Sequence, residues 1–181
     1  MTKIKLATVW LGGCSGCHMS FLDLDEWLIV LAAQVDIVYS PIADIKEYPE
    51  GVDVVLVEGA IANEEHLELI YKIRERTKTI ISFGDCAVTG NVTALLNLSG
   101  GAEPALQLAY VQEADINQQI PHSPGIVPPL LDRVVPVHKV VDVDIYLPGC
   151  PPSASRIKAA IEPLLRGEKP AMDGRNMIKF G

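Results

Sequence analysis

Four cysteines, Cys14, Cys17, Cys86 and Cys150, are the residues whose type and spacing offer inorganic chemistry. Cys14 and Cys17 stand three apart, so one turn of chain can bring two thiolates to a single metal centre. Alone, that Cys-x-x-Cys pair is shared by zinc sites, thioredoxin-like thiol chemistry and iron–sulfur clusters. Cys86 and Cys150 are separate and distant, whereas structural zinc usually draws two close pairs. The full set favours one iron–sulfur cluster on all four thiolates, with Cys150-Pro151 matching the Cys-Pro ending of ferredoxin cluster motifs. Two other readings stay open: a zinc-stabilised interaction module, and a thiol oxidoreductase using Cys14 and Cys17.

The elements that must position these cysteines can be read from pattern. Lys3 to Trp10 reads as a strand running into Leu11-Gly12-Gly13, so Cys14 lies just past a strand end. From Cys17 to about Ala33, Phe21, Leu24, Leu28 and Leu31 form the stripe of an amphipathic helix whose positive end would face the cysteines. Val35 to Tyr39 and Val52 to Val57 have the near-continuous apolar character of central parallel strands. Asn63 is placed to cap a helix reaching about Arg76, with Glu64 and Glu65 in its acidic first turn. Lys78 to Ser82 resumes the sheet and stops at Phe83-Gly84-Asp85, just before Cys86.

Asn91 to Leu98 and Glu103 to Glu113 read as further helices. Asp115 to Lys139 mixes five prolines with apolar residues and shows no sustained period, so it is expected to be an irregular surface segment. Val143 to Leu147 is a last strand, ended by Pro148-Gly149-Cys150-Pro151-Pro152, and Ser153 can cap a helix through about Arg166. The alternation predicts an α/β fold: a doubly wound, mainly parallel, flavodoxin-like sheet with an irregular proline-rich segment, in one iron–sulfur-binding domain over residues 1–181. Ligands of such sheets bind beyond the carboxyl ends of the strands, where Cys14, Cys86 and Cys150 each fall. Neighbouring glycines at 12, 13, 16, 84 and 149 allow close approach of backbone to a bound centre. A flavodoxin-like sheet also admits a weakly bound flavin mononucleotide (FMN) near the first loop. Leu11-Gly12-Gly13-Cys14 forms no clear phosphate cradle, however, because its glycines serve the cysteine.

Composition narrows the function classes. At 181 residues the chain can bury roughly 70% of its unfolded surface. A net charge of −8 repels nucleic acid and anionic membranes, leaving proteins as the expected partners. No apolar stretch reaches the ~20 residues of a membrane span and Met1 to Trp10 lacks a secretory pattern, so a cytoplasmic, reducing location is expected, where cysteines serve as ligands or thiols rather than disulfides. The polar residues near the cysteines have ordinary readings. His18 and His66 are expected in solvent, His122 and His138 in loops, and Asp23, Asp25 and Glu26 on a charged face. Glu58 either caps a terminus or relays protons, and Trp10 and Trp27 are core or interface anchors.

The segments Trp10-Leu11-Gly12-Gly13-Cys14-Ser15-Gly16-Cys17, Gly84-Asp85-Cys86-Ala87 and Pro148-Gly149-Cys150-Pro151-Pro152 together resemble the small subunit of nickel–iron hydrogenases. Cys17-His18-Met19-Ser20-Phe21-Leu22-Asp23 and Val57-Glu58-Gly59-Ala60-Ile61 look most similar to the cytoplasmic, NAD-reducing, multi-subunit branch. The resemblance implies that Cys14, Cys17, Cys86 and Cys150 bind the proximal 4Fe-4S cluster, with the nickel–iron centre in a separate large subunit. This chain alone would then not activate hydrogen. Only 31 residues follow Cys150 and none is cysteine, so electrons are expected to leave directly for another subunit, in this branch a diaphorase module with flavin and iron–sulfur subunits that completes hydrogen:NAD oxidoreduction. A coenzyme F420-linked or ferredoxin-linked hydrogenase would need a similar single-cluster relay. The cluster subunit of respiratory complex I is similar too, but carries adjacent cysteines where this sequence has Cys14-Ser15-Gly16-Cys17. Membrane-bound and periplasmic hydrogenases usually follow the second cysteine with serine and glutamate, where His18 stands here.

Overall fold

The computed structural model describes residues 3–41 and 43–180. In chain order the elements are β1 (Ile4–Trp10), α1 (Gly16–Leu22), α2 (Trp27–Gln34), β2 (Val35–Tyr39), β3 (Val52–Glu58), β4 (Ile61–Asn63), α3 (Glu64–Arg76), β5 (Thr77–Phe83), α4 (Asp85–Thr89), α5 (Ala102–Gln107), β6 (Leu130–Val135), β7 (Ile145–Leu147) and α6 (Ala154–Ile161). Five strands form a sheet in the order β2-β1-β3-β5-β7, with every pairing parallel. This is the flavodoxin-like order, in which the chain turns outward in both directions from β1 and β3.

The central strands are apolar on both sides because both faces are covered. Leu6, Val54, Leu56, Ile81 and Phe83 pack beneath Phe21 of α1, Leu31 of α2 and Ile157 of α6. On the opposite face, Ala7, Val9, Val55, Val57 and Ile80 pack against Ile70 and Ile73 of α3. The expected α3 is present to the residue. Asn63 Oδ1 accepts the His66 amide at 2.8 Å, Glu64 and Glu65 occupy the first turn, and Arg74 and Arg76 the last, each favourable to the helix dipole.

Four expectations are corrected. The helix expected over Cys17 to Ala33 is two helices, because Asp25 adopts a left-handed conformation (φ 49°) between α1 and α2. Asp23, Asp25 and Glu26 crowd negative charge where α1 would have to continue past a C-terminus, a disfavoured place for acids, and the same acids suit the start of α2. Val35 to Tyr39 is an edge strand rather than a central one; it pairs only with β1, and its Asp36 and Ile37 are exposed. The segment from Asp115 to Lys139 contains β6, which pairs antiparallel with β4, so part of the proline-rich stretch is ordered by a partner about 70 residues upstream. His66 does not face water: it is half-buried, the Ala62 amide donates to its Nδ1 at 3.3 Å, and burial lowers its pKa against the opposing pull of Glu65.

The strand ends lie in register. Trp10 pairs with Glu58, Glu58 with Phe83, and Phe83 with Leu147, so β1, β3, β5 and β7 finish in one row. At the centre of that row Glu58 is only 1% exposed and serves as the cap of α1. The helix's own N-cap, Ser15, turns its hydroxyl to the Cys14 carbonyl and caps nothing. Instead the Glu58 carboxyl accepts the amides of Cys17 (3.3 Å) and His18 (2.9 Å), two of the donors a helix start leaves unpaired. Removing that carboxyl leaves two buried donors unmet, so Glu58→Ala is expected to lower stability by about 2–4 kcal/mol, and Glu58→Gln, which keeps an acceptor, by less. Asn63→Ala, which removes only the cap of α3, should lose about 1 kcal/mol. Urea unfolding followed by circular dichroism measures all three.

Candidate cluster site at the sheet edge

Each cysteine sits a few residues beyond the row of strand ends. Cys14 follows β1, Cys17 lies in the first turn of α1, Cys86 opens α4 after β5, and Cys150 follows β7. The loops that carry them extend the sheet by backbone pairing. Leu11 N–H donates to Glu58 O at 2.8 Å, and Gly12 and Ala60 exchange hydrogen bonds at 2.9 and 2.8 Å. The Gly12 amide is thereby engaged by Ala60, which leaves it no role in holding a phosphate. On the other side Gly84 N–H donates to Leu147 O at 2.8 Å and Asp85 N–H to Gly149 O at 2.9 Å, while Gly149 N–H returns to Asp85 Oδ1 at 2.5 Å. This reciprocal link ties the Cys86 segment to the Cys150 segment across 64 residues. Ser20 Oγ donates to Pro152 O at 2.6 Å and ties α1 to the same loop.

The sulfurs share one neighbourhood. Burial is the main cause that lifts the Cys17 thiol far above its ordinary range, followed by the charges of Glu58, Cys86, Cys14 and Cys150. The Cys86 thiol is also raised by burial; hydrogen bonds from Thr93 and the Val92 amide oppose that, and Cys14 and Cys150 add to it. A thiol held as high as Cys17 is by itself a poor nucleophile. Its proton is displaced only by something that pays for a buried thiolate, as a bound metal does. Cys17 and Cys86 are buried and Cys14 and Cys150 exposed, so the site opens to one side of the edge.

Gly84 shows how closely the backbone approaches. At φ 84° it adopts a conformation that L side chains avoid, and a Cβ there would fall 2.1 Å from the Cys17 sulfur. Among the described residues no three His, Cys, Asp or Glu side chains are grouped tightly enough to grip a single ion. The donor set gathered at this edge is sulfur throughout, the preference of iron–sulfur centres, in which four thiolates would each hold a separate iron and need not close on one ion.

The residues around the sulfurs differ from expectation in three respects. His18 is not solvated: its side chain is 18% exposed and its Nδ1 contacts Glu58 Oε2. The positive end of α1 does not simply face the cysteines, because Glu58 takes its Cys17 and His18 amides. Asp85, Asn91, Thr93 and Arg156 also frame the site without having been singled out from sequence. Thr93 Oγ1 donates to Gly12 O at 2.8 Å, Asn91 Nδ2 to Cys150 Sγ at 3.5 Å, and burial lowers the Arg156 pKa while Asp85 opposes that shift. These are contacts across long sequence separations; only the place of Asp85 next to a cysteine offered any local signal.

Comparison with known proteins agrees with this geometry. A family model described as NADH ubiquinone oxidoreductase, 20 Kd subunit, matches residues 14–164. The delta subunit of the NAD-reducing hydrogenase HoxS from Cupriavidus necator is 39% identical over 169 residues, which span 91% of this chain and 80% of that one. A subunit of the F420-non-reducing hydrogenase vhu from Methanocaldococcus jannaschii is 43% identical over 171 residues, 93% of this chain but 58% of its relative. The chain thus spans less than two thirds of the length of this archaeal relative. A chain of a solved NAD+-reducing [NiFe]-hydrogenase in the H2-reduced state superposes with a TM-score of 0.92 at 35% identity, covering 99% of this chain and all of that one. On these matches the chain belongs to the family of the NADH ubiquinone oxidoreductase 20 Kd subunit, and within it to the small subunits of [NiFe]-hydrogenases.

Proposed function

We propose that this chain binds one 4Fe-4S cluster through Cys14, Cys17, Cys86 and Cys150 and relays electrons as the small subunit of a cytoplasmic [NiFe]-hydrogenase. The observation that carries the reading is the register of Trp10, Glu58, Phe83 and Leu147, from whose row four thiols reach one edge of the sheet. In this reading residues 1–181 form one cluster-binding unit. The large subunit contributes the nickel–iron centre, and a diaphorase module with flavin and iron–sulfur subunits takes electrons onward, for reversible hydrogen:NAD oxidoreduction. When bound, the cluster supplies one-electron storage between those two partners.

The chain's own residues do the rest. The four thiols release their protons to become ligands, with those of Cys17 and Cys86 held most firmly by burial. Glu58 holds the amides beside Cys17 and adds a negative charge that disfavours further charge on the sulfurs. The exposed side at Cys14 and Cys150 is the way in for electrons and the place where a partner would exclude water. A hydrogen:NAD reaction draws support from the HoxS delta subunit and from the solved NAD+-reducing enzyme. The 43% identity to a relative named as F420-non-reducing leaves an acceptor other than NAD open, and hydrogen-dependent reduction of NAD, F420 and ferredoxin by the purified complex separates the alternatives.

Anaerobic purification with endogenous partners should yield about four irons and four acid-labile sulfides for this chain. Cys86→Ser and Cys150→Ser should each lose that iron. About one zinc in a colourless protein would support the interaction module instead, and redox activity surviving both substitutions would support thiol chemistry. Gly84→Ala, which drives a methyl group into the Cys17 sulfur, is expected to lower iron content by roughly tenfold or more while the far-ultraviolet circular dichroism stays near that of the parent chain.

A further inference from the structure

Between α4 and the following 3-10 turn (Thr93–Ser99), the four residues Gly90, Asn91, Val92 and Thr93 touch the segments of three of the four cysteines. The Gly90 amide donates to the Cys86 carbonyl at 2.9 Å. Thr93 Oγ1 donates to the carbonyl of Gly12, two residues before Cys14, at 2.8 Å. Asn91 Nδ2 donates to the Cys150 sulfur at 3.5 Å, across 59 residues of sequence. The turn is therefore a bracket laid over the sulfurs.

Its conformation is demanding. Gly90 has φ 88° and Asn91 φ 35°, and asparagine is among the few side-chain-bearing residues that accept a positive φ. A glycine would meet that backbone requirement as well, so the conformation alone does not call for an amide side chain. Asn91 is exposed, so packing in the core does not call for one either. What its side chain does is aim an N–H at a sulfur.

We infer that Asn91 is a positioning residue that acts through Cys150 to raise the reduction potential of the cluster proposed above. Reduction adds negative charge that spreads onto the thiolate sulfurs, and an N–H aimed at a sulfur stabilises the more negative state. This acts in the opposite direction to Glu58, which lies on the Cys17 side of the site. The inference rests on the cluster reading, so its test first requires a cluster in the parent complex.

The experiment is a redox titration of the intact hetero-oligomer, followed by the electron paramagnetic resonance signal that disappears in Cys150→Ser. Asn91→Gly keeps the backbone conformation and removes the donor. It is expected to lower the equilibrium constant for cluster reduction roughly tenfold, which for one electron is about 59 mV toward the negative. Asn91→Asp has nearly the same shape but replaces the donor by a negative charge, and should shift further in the same direction. Iron content should match the parent in both. An unchanged or more positive midpoint in Asn91→Gly at full iron content overturns the inference, as does loss of iron with the remaining clusters titrating as in the parent, since that would make the role one of support only. A parent complex with no iron on this chain would overturn the cluster reading and this inference with it, and the metal assay made beforehand distinguishes that failure from the others.

Discussion

A carboxyl group buried in the middle of the sheet's edge constrains everything around it. Glu58 ends β3 in register with Trp10 on one side and Phe83 on the other, where water cannot reach it. A carboxyl in such a place is costly unless donors meet it, and the donors that do are the amides of Cys17 and His18, with the His18 ring alongside. Satisfying Glu58 and seating the helix that carries Cys17 are thus one condition. The remaining cysteines are set by continuing the sheet past its last strand residues, through Leu11 to Glu58, Gly84 to Leu147, and the paired hydrogen bonds of Asp85 with Gly149. Four segments remote in sequence are held by a framework whose rigid part is the parallel sheet itself.

How much of this could be read from sequence follows from the range of the interactions involved. The helix from Glu64 to Arg76 was legible to the residue, because its cap, its acidic start and its basic end are all local. The central strand from Val52 and the order of the sheet were legible because burial on both faces writes a continuous apolar run. Strand β2 carries the same valine and isoleucine signal at an edge, and only its neighbours decide which position it takes. Strand β6 was hidden among prolines since its pairing partner is β4, far upstream. At the site, the cysteines announced themselves by type and spacing. His18 did not: a polar residue in a first helical turn looks solvated until the carboxyl opposite it is known. Asn91 and Thr93 were equally silent, as nothing in their local sequence tells which loop they reach.

The environment of the sulfurs is electrostatically lopsided. Cys17 is buried against Glu58, and both burial and that negative charge disfavour its ionised form. Cys86 is buried too, which raises its thiol, and Cys150 is exposed with Asn91 beside it. Burial thus resists negative charge at Cys17 and Cys86, with Glu58 adding to it at Cys17, whereas the Asn91 donor favours it at Cys150. On the cluster reading, added electron density is favoured toward the Cys150 flank, since that is where the Asn91 donor lies.

That flank is also partly the open one. In water an N–H aimed at a sulfur competes with solvent and contributes modestly; once a partner surface excludes water, the local dielectric falls and the same contact strengthens. The repulsion from Glu58 changes little, because Glu58 is already buried at 1% exposure before any partner arrives. On the cluster reading, covering the exposed edge at Cys14 and Cys150 would strengthen the Asn91 donor more than it strengthens the acid, while the same loss of water makes added charge costlier, so the two effects oppose each other.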